Sequence, residues 1–256
     1  MKYMKKMNAV NKYLLICFVL FFASQLNAAE KRDTLKVLFI GNSYVYYNNL
    51  AQMISLITDS LNTKLICTKS TIGSATLGQH WNELRGLKTR QLLAKNKYDV
   101  VVLQDNSMWP IEHSDSVFMY GNLFCKTITK AGAKTFIYNT WARQKTPEMQ
   151  SVINEVYSKL AADNKATIVP VGDSWKLALQ IKPNVDLFNA DGSHPSNLGT
   201  FLIALNFIKK ITGTLPNKYA TVYNYFDKDG ETFRIMQLSD AEIQFCVGIV
   251  NKVIKN

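Results

Sequence analysis

Apolar residues in this chain follow two patterns that alternate along the sequence. Residues 37–40 form a continuous apolar run that ends at Gly41, which is typical of a strand buried on both faces of a parallel sheet. Between residues 49 and 61 the apolar positions recur instead at the spacing of one helix face. The predicted strands are 35–40, 65–68, 99–104, 134–140 and 166–171. The predicted helices are 49–61, 79–95, 115–131, 147–162, 173–180, 196–211 and one that starts at the capping box of Ser239.

Strands that alternate with helices predict an α/β fold, a three-layer α/β/α sandwich with a central parallel sheet of about five strands. This core covers residues 35–212, and residues 213–256 form a C-terminal extension. Residues 70–78 are rich in Ser, Thr and Gly and predict a loop. Residues 214–238 are the least regular, and their tyrosines favour either a small hairpin or packing over the sheet edge.

The first 28 residues have the pattern of a secretory signal peptide. Four lysines precede or border an apolar stretch at residues 13–23, and small residues follow at 27–29. We therefore expect a mature domain of residues 29–256 in the periplasm or outside the cell, without membrane insertion after cleavage. A retained membrane anchor is the alternative, although the apolar stretch is short for a bilayer span.

Charge argues against a nucleic-acid partner. The chain has 30 basic and 19 acidic residues, and removal of the four leader lysines leaves 26 basic residues, a net charge of about +7. These charges are scattered, with no basic stripe interleaved with aromatic residues. A moderately basic surface suits solubility or attraction to anionic glycans, and the oligomeric state is left open.

The remaining cysteines, Cys67, Cys125 and Cys246, are widely spaced and have no histidine nearby. This spacing argues against a zinc site and favours buried thiols, with one disulfide as the alternative in an oxidising compartment. The sequence also lacks a phosphate-binding glycine loop and a dinucleotide fingerprint. We therefore expect no metal and no cofactor.

Polar candidates for chemistry follow successive predicted strands. Ser43 follows the first strand, Gly73 the second, Asn106 the third and Trp141 the fourth. Ligands of open parallel sheets gather at the carboxyl ends of the strands, so these residues are expected to share one edge. Taken alone, a serine between a strand and a helix is most often the N-cap of that helix, a role that is compatible with catalysis.

His194 is one of only three histidines, and Asp191 lies three residues before it in a predicted turn. An aspartate at this spacing can bind the imidazole Nδ1 and leave Nε2 free to accept a proton. His80 and His113 have no carboxylate placed in this way, although Asp115 is close to His113. On spacing alone, a surface loop of ordinary polar residues is the competing interpretation.

The joint pattern is more specific than its parts. The motifs are Gly-Asn-Ser-Tyr at 41–44, Ile-Gly-Ser-Ala-Thr-Leu at 72–77, Gln-Asp-Asn-Ser at 104–107, Asn-Thr-Trp-Ala at 139–142 and Asp-Gly-Ser-His-Pro-Ser at 191–196. Over residues 35–212 the chain resembles the SGNH (GDSL-like) hydrolase superfamily, and in particular a branch of secreted bacterial proteins of largely unassigned substrate. The resemblance implies a flavodoxin-like fold.

The resemblance also implies roles for the three polar residues. Ser43 would be the nucleophile, His194 the general base, and Asp191 the residue that orients the imidazole. The implied activity is hydrolysis of a carboxylic ester through an acyl-enzyme.

The implied oxyanion hole combines the backbone N–H groups of Ser43 and Gly73 with the side-chain amide of Asn106. The third motif usually begins with glycine, and here Gln104 stands in its place. Gln104 is therefore the alternative donor.

Aromatic residues near the strand ends suggest the substrate. We expect Tyr44, Trp109 and Trp141 to face it, because aromatic rings stack on sugars, although edge packing is an equal alternative for the tryptophans. The predicted substrate is an O-acetyl or similar small acyl ester on carbohydrate. The alternatives are a carbohydrate-binding protein with a degraded triad, or an O-acyltransferase.

Overall fold

The computed structural model describes residues 32–255, so the predicted signal peptide at residues 1–28 lies outside the described residues. Within 32–255, none of the helices has the length and apolar character needed to span a bilayer. The strands are β1 Asp33–Gly41, β2 Thr63–Thr71, β3 Val100–Leu103, β4 Lys134–Asn139, β5 Thr167–Pro170, β6 Val222–Phe226 and β7 Thr232–Gln237. The helices are α1 Ser43–Tyr46, α2 Leu50–Ile57, α3 Leu77–Trp81, α4 Thr89–Lys95, α5 Trp109–Glu112, α6 Ser114–Lys130, α7 Gln150–Asn164, α8 Val171–Ile181, α9 Asn197–Thr212 and α10 Asp240–Val253.

The first five strands form one parallel sheet in the order β2-β1-β3-β4-β5. In its centre Val37 of β1 lies beside Val100 of β3, which in turn lies beside Lys134 of β4. The predicted three-layer α/β/α fold is confirmed. Because β1 and β3 occupy the middle of the sheet, their carboxyl ends open onto the centre of one edge, where ligands of such folds bind.

Successive residues of β1 face opposite layers, since side chains alternate along a strand. Val37 and Phe39 belong to the larger core, which includes residues of α2, α8, α9 and α10. Leu38 and Ile40 belong to the second core, which includes residues of α6 and α7. This two-sided burial explains the uninterrupted apolar runs in the strand sequences.

The segment 70–95 differs from the prediction in two ways. The predicted helix 79–95 is two helices, because Glu83, Arg85 and Gly86 between α3 and α4 adopt positive φ angles of 51°, 56° and 80°. The predicted loop 70–78 is shorter than expected, since Thr76 caps α3 through a capping box. Helical periodicity continues through such a break, so hydrophobic spacing does not detect it.

The C-terminal extension contributes a hairpin and a helix. Strands β6 and β7 pair antiparallel, which confirms the hairpin alternative for residues 214–238. The capping box of Ser239 opens α10 as predicted. Cys67, Cys125 and Cys246 are all free thiols, so the disulfide alternative is wrong. Burial raises the pKa of Cys67 to about 12, which leaves it protonated and unreactive at neutral pH.

Candidate active site

Ser43 lies at the carboxyl end of β1, as the first residue of the short helix α1. The N-cap of this helix is Asn42, whose side chain accepts a hydrogen bond from Tyr44 N–H at 3.1 Å, so the N-cap interpretation of Ser43 is wrong. A side chain at Gly41 would approach Val45 Cγ2 within 2.8 Å, which explains why glycine ends the strand. Ser43 is half-buried, and its hydroxyl is held at the edge of the sheet.

Asn42 fixes this turn to the neighbouring loops. Its Nδ2 donates to the Ala75 carbonyl at 2.9 Å, and its backbone N–H donates to Gln104 Oε1 at 2.9 Å. The side chain is 2 % exposed, so these bonds form away from water. The loops after β1, β2 and β3 are thereby joined around Ser43.

The loop between α8 and α9 brings His194 to Ser43. His194 Nε2 lies 2.8 Å from Ser43 Oγ, and His194 Nδ1 lies 2.5 Å from Asp191 Oδ2. The second oxygen of Asp191 accepts the backbone N–H groups of Ser193 and His194, both at 2.9 Å. Gly192 has a φ of +66°, a conformation that glycine adopts without strain and that allows this tight turn. The three predicted residues therefore form one continuous chain of hydrogen bonds.

The electrostatics of Asp191 fix the direction of these bonds. Desolvation raises the pKa of its carboxyl, but the hydrogen bonds from the His194 ring and from two backbone N–H groups outweigh it and bring the pKa to about 2. Asp191 is therefore ionised at neutral pH and accepts the Nδ1 proton. His194 Nε2 is then the nitrogen that can accept the Ser43 proton.

Aromatic rings hold the imidazole in place. Tyr47 stacks on His194 with ring centroids 4.3 Å apart and an angle of 18° between the rings. Tyr44 meets the same ring edge-on at 5.7 Å. The contact of Tyr47 was not predicted, because nothing in the local sequence distinguishes it from the neighbouring tyrosines.

Two of the three predicted substrate-binding residues are buried. Tyr44 is 3 % exposed and Trp141 is fully buried, and their rings stack at 4.4 Å. Trp175 covers the other side of Trp141 at 4.1 Å. The prediction that Tyr44 and Trp141 contact substrate is therefore wrong, because both side chains are buried in this ring stack. Trp109 is partly exposed beside His113, so its role stays a prediction.

The buried aromatic stack has a different function from the predicted one. Trp141 Nε1 donates to the Ser193 carbonyl at 3.0 Å, and the Tyr44 hydroxyl bonds Ser193 Oγ at 2.8 Å. Both rings therefore support the residue that precedes His194. This role could not be predicted from the local sequence, since Ser193 and Tyr44 are 149 residues apart in the chain.

The alternative oxyanion donor Gln104 is excluded by its surroundings. Its side chain is fully buried, with Oε1 accepting from Asn42 and Nε2 donating to the Asp105 carbonyl. Asn106 is partly exposed instead, and its Nδ2 donates to the Ser74 carbonyl at 3.2 Å, beside Gly73. One Nδ2 hydrogen remains for a ligand, because an amide NH₂ carries two donors. The roles of Gly73 and Asn106 stay predictions.

Within residues 32–255 no group of three or more His, Cys, Asp and Glu side chains is arranged as a metal site.

Comparison with known proteins gives likenesses of structure. No family model matches the sequence, and no curated protein matches it. A solved protein of Slackia heliotrinireducens, whose name suggests an SGNH hydrolase, is 25% identical over 70% of this chain and 100% of its own, with a TM-score of 0.60. A DUF4886 family protein of Bacteroides uniformis is 18% identical over 86% of this chain and 95% of its own, with a TM-score of 0.68.

A third solved structure is the acetyl xylan esterase AlAXEase, 17% identical over 68% of this chain and 98% of its own, with a TM-score of 0.52. These likenesses are likenesses of fold. The resemblance inferred from the five motifs is confirmed in three dimensions: the chain has the fold of the SGNH (GDSL-like) hydrolases.

Proposed function

We propose that the protein is a serine esterase that hydrolyses carboxylic esters through an acyl-enzyme on Ser43. The observation that carries this proposal is the hydrogen-bond chain from Ser43 Oγ through His194 to Asp191. A hydroxyl, an imidazole and a carboxylate linked in this order are the components of an activated serine nucleophile.

In the first half-reaction, Ser43 Oγ attacks the ester carbonyl while His194 Nε2 accepts its proton. The ionised Asp191 stabilises the imidazolium that forms. The backbone N–H groups of Ser43 and Gly73 and the amide of Asn106 donate to the oxyanion, and one such donor is typically worth about 3 kcal/mol. His194 then donates the proton to the departing alkoxide, which leaves as the alcohol.

In the second half-reaction, water attacks the acyl-enzyme. His194 takes a proton from this water and returns it to Ser43 Oγ as the carboxylic acid leaves. Exposure of the site favours hydrolysis over acyl transfer, since the side chains of His194 and Asp191 are 25% and 45% exposed. The intact hydrogen-bond chain likewise favours catalysis over the non-catalytic binding protein.

For the substrate we propose an O-acetyl or similar small acyl ester on a carbohydrate, hydrolysed outside the cytoplasm. A groove of about 740 Å³ adjoins the loop that carries His194, and it supports this choice. Side-chain amides dominate its polar lining, and amides are suited to hydrogen bonding with sugar hydroxyls. The amide residues are Asn48, Gln144, Asn184, Asn189 and Asn197. The proposal that the protein acts outside the cytoplasm rests on the signal-peptide pattern of residues 1–28.

The first test is labelling of the folded mature protein with a fluorophosphonate probe, together with turnover of 4-nitrophenyl acetate. We expect a single adduct on Ser43 in the wild type, and loss of labelling and turnover in Ser43→Ala and His194→Ala. The matched control is Ser151→Ala, an exposed serine on α7 that should label like the wild type.

Circular dichroism would establish that each variant is folded. Absence of labelling in folded wild-type protein, or full turnover in Ser43→Ala, would refute the esterase proposal. Glycan binding without turnover would then favour the binding protein.

A further inference from the structure

Arg143 is a cation at the same sheet edge as the proposed nucleophile. It follows β4, and its Nη2 donates to Ser107 Oγ at 3.0 Å. Ser107 is 9% exposed and directly follows Asn106, so it offers a fixed anchor. The guanidinium is thereby held between the carboxyl ends of β3 and β4.

Electrostatics place this cation close to the catalytic residues. Burial raises the pKa of the Tyr44 hydroxyl, while hydrogen bonds with Ser193 and Ser107 and the positive charge of Arg143 lower it. Tyr44 directly follows Ser43 in sequence, and its hydroxyl bonds Ser193, the residue before His194. Arg143 therefore acts on the immediate surroundings of the nucleophile and base.

The side chain of Arg143 is exposed, and among residues 32–255 no carboxylate forms an ion pair with it. The neighbouring acid, Asp191, already accepts three hydrogen bonds within its own loop. A guanidinium carries five N–H donors, and the bond to Ser107 uses one of them. Its remaining donors can bind a planar oxyanion in bidentate fashion.

Arg143 also lines a groove of about 380 Å³, and the charged residues that line this groove are all positive. Lys176 lines the same groove, and its described lining contains no aspartate or glutamate. Gln144, another lining residue, donates its backbone N–H to the Gly192 carbonyl at 2.9 Å, so the groove adjoins the loop that carries Asp191 and His194. A cleft lined by charges of one sign raises the local concentration of ligands of the opposite sign.

We propose that Arg143 binds a carboxylate of the substrate, so that the preferred esters carry an acidic group near the scissile bond. This inference rests on the proposed esterase function and specifies its substrate class. The carboxylate can belong to the alcohol, as in an acylated acidic sugar, or to the acyl group, as in a dicarboxylic acid monoester. Lys176 contributes a second positive charge at longer range.

The test compares matched esters that differ in charge. For the alcohol side, 4-acetoxybenzoate is compared with its neutral methyl ester. For the acyl side, 4-nitrophenyl monosuccinate is compared with its neutral methyl ester. The measured quantity is the ratio of kcat/KM for the anionic ester to kcat/KM for the neutral one, and the pair with the higher ratio identifies the side that bears the carboxylate.

In the wild type we expect a ratio above one that falls with added salt, because salt screens exposed charges. Arg143→Gln should lower the ratio about tenfold to a hundredfold, in line with a charge-assisted hydrogen bond. The ratio for Arg143→Lys should lie between those of the wild type and Arg143→Gln, because lysine keeps the positive charge but lacks the planar pair of donors of a guanidinium. The matched control is Lys145→Gln, which removes an exposed cation outside the groove and should keep the wild-type ratio.

The outcomes separate the inference from the proposed function. A wild type that hydrolyses neutral esters without preferring anionic ones overturns the role of Arg143 and leaves the esterase proposal standing. Equal changes in Arg143→Gln and Lys145→Gln would likewise overturn it, as they would reflect general charge. A wild type that hydrolyses none of these esters, and whose Ser43 is not labelled by the fluorophosphonate, overturns both.

Discussion

At the scale of single residues, Asp105 is the buried acid that joins two loops of the candidate site. Its Oδ1 accepts the backbone N–H groups of Leu77 at 3.0 Å and Asn106 at 2.7 Å. Its Oδ2 is buried and has no hydrogen-bond partner among residues 32–255. Burial raises the pKa of this carboxyl to about 6, although the two backbone hydrogen bonds oppose the change.

This raised pKa predicts how stability depends on pH. Between about pH 4 and pH 6 the folded protein retains a proton that the unfolded chain releases, so Asp105 destabilises the fold increasingly as pH rises. Asp105→Asn keeps the accepting oxygen and removes the charge. We expect the difference in unfolding free energy between this variant and the wild type to move in favour of the variant by about 2 kcal/mol from pH 4 to pH 7.

Urea unfolding at several pH values would measure this difference. His80 is buried and its pKa is lowered to about 4, which gives an opposite slope, but both proteins contain it and its effect cancels. Parallel stability curves for the two proteins would show that Asp105 does not titrate in this range.

The hydrogen-bonded chain of the three proposed catalytic residues was predictable, because each residue lies in a short local motif. Ser43 follows a strand and a glycine, and Asp191 and His194 share one turn. The burial of Tyr44 and Trp141 was not predictable, because it depends on rings contributed by distant parts of the chain. Aromatic residues near a strand end carry no local signal that separates packing from ligand binding.

At the scale of elements, the start of α9 is packed so closely that one position requires glycine. Ser196 caps the helix by accepting the Gly199 N–H at 3.0 Å. A Cβ at Gly199 would lie 2.6 Å from Trp175 Cη2 and would also clash with the Leu187 carbonyl. That carbonyl accepts the Ser196 N–H at 2.8 Å, so the contact lies at the base of the loop that carries Asp191 and His194.

We expect Gly199→Ala to destabilise the fold by about 1–3 kcal/mol, as for overpacking of a filled core, and to reduce labelling of Ser43. The matched control is Gly248→Ala, since Gly248 lies in α10 with no atom within 4 Å of an added Cβ. The free energy of unfolding of the control variant should rise by about 0.5–1 kcal/mol, because alanine has a higher helix propensity than glycine. Thermal unfolding and probe labelling of both variants would measure the effects, and equal behaviour would contradict the packing argument.

Elements with buried faces were predicted well and irregular ones were not. The five sheet strands and the long helices carry periodic apolar residues, which a core requires. The break at residues 82–88 depends on left-handed backbone at Glu83 and Arg85, residue types that give no such signal in sequence. The short helix α5 was missed because four residues are too few for a periodic pattern.

At the scale of the whole molecule, the C-terminal extension belongs to the same core as the sheet. Ile243, Ile249 and Val250 of α10 are at most 2% exposed and lie in the larger core with Phe201 of α9 and Phe39 of β1. The sequence resemblance ends near residue 212, so the contribution of α10 was not predictable from it.

Removal of residues 214–256 is therefore expected to prevent stable folding. Burial of each of the three aliphatic side chains is worth about 1.5–3 kcal/mol, and the sum is comparable with the total stability of a domain. Soluble yield and thermal melting of the truncated chain would measure the loss. A chain that ends at Ile254 is the control and should melt like the full protein, whereas cooperative melting of the shorter chain would contradict the prediction.

The contact between Ser43 and His194 joins positions 151 residues apart, with four strands of the sheet lying between them in sequence. On a ribosome, or in any chain that has not yet folded, the serine is an ordinary alcohol with no base beside it. The central strands must pair before the loop that carries the histidine can dock, and such distant pairings form late. The proposed esterase activity is therefore expected only in the folded protein, and a growing chain should leave the esters around it intact.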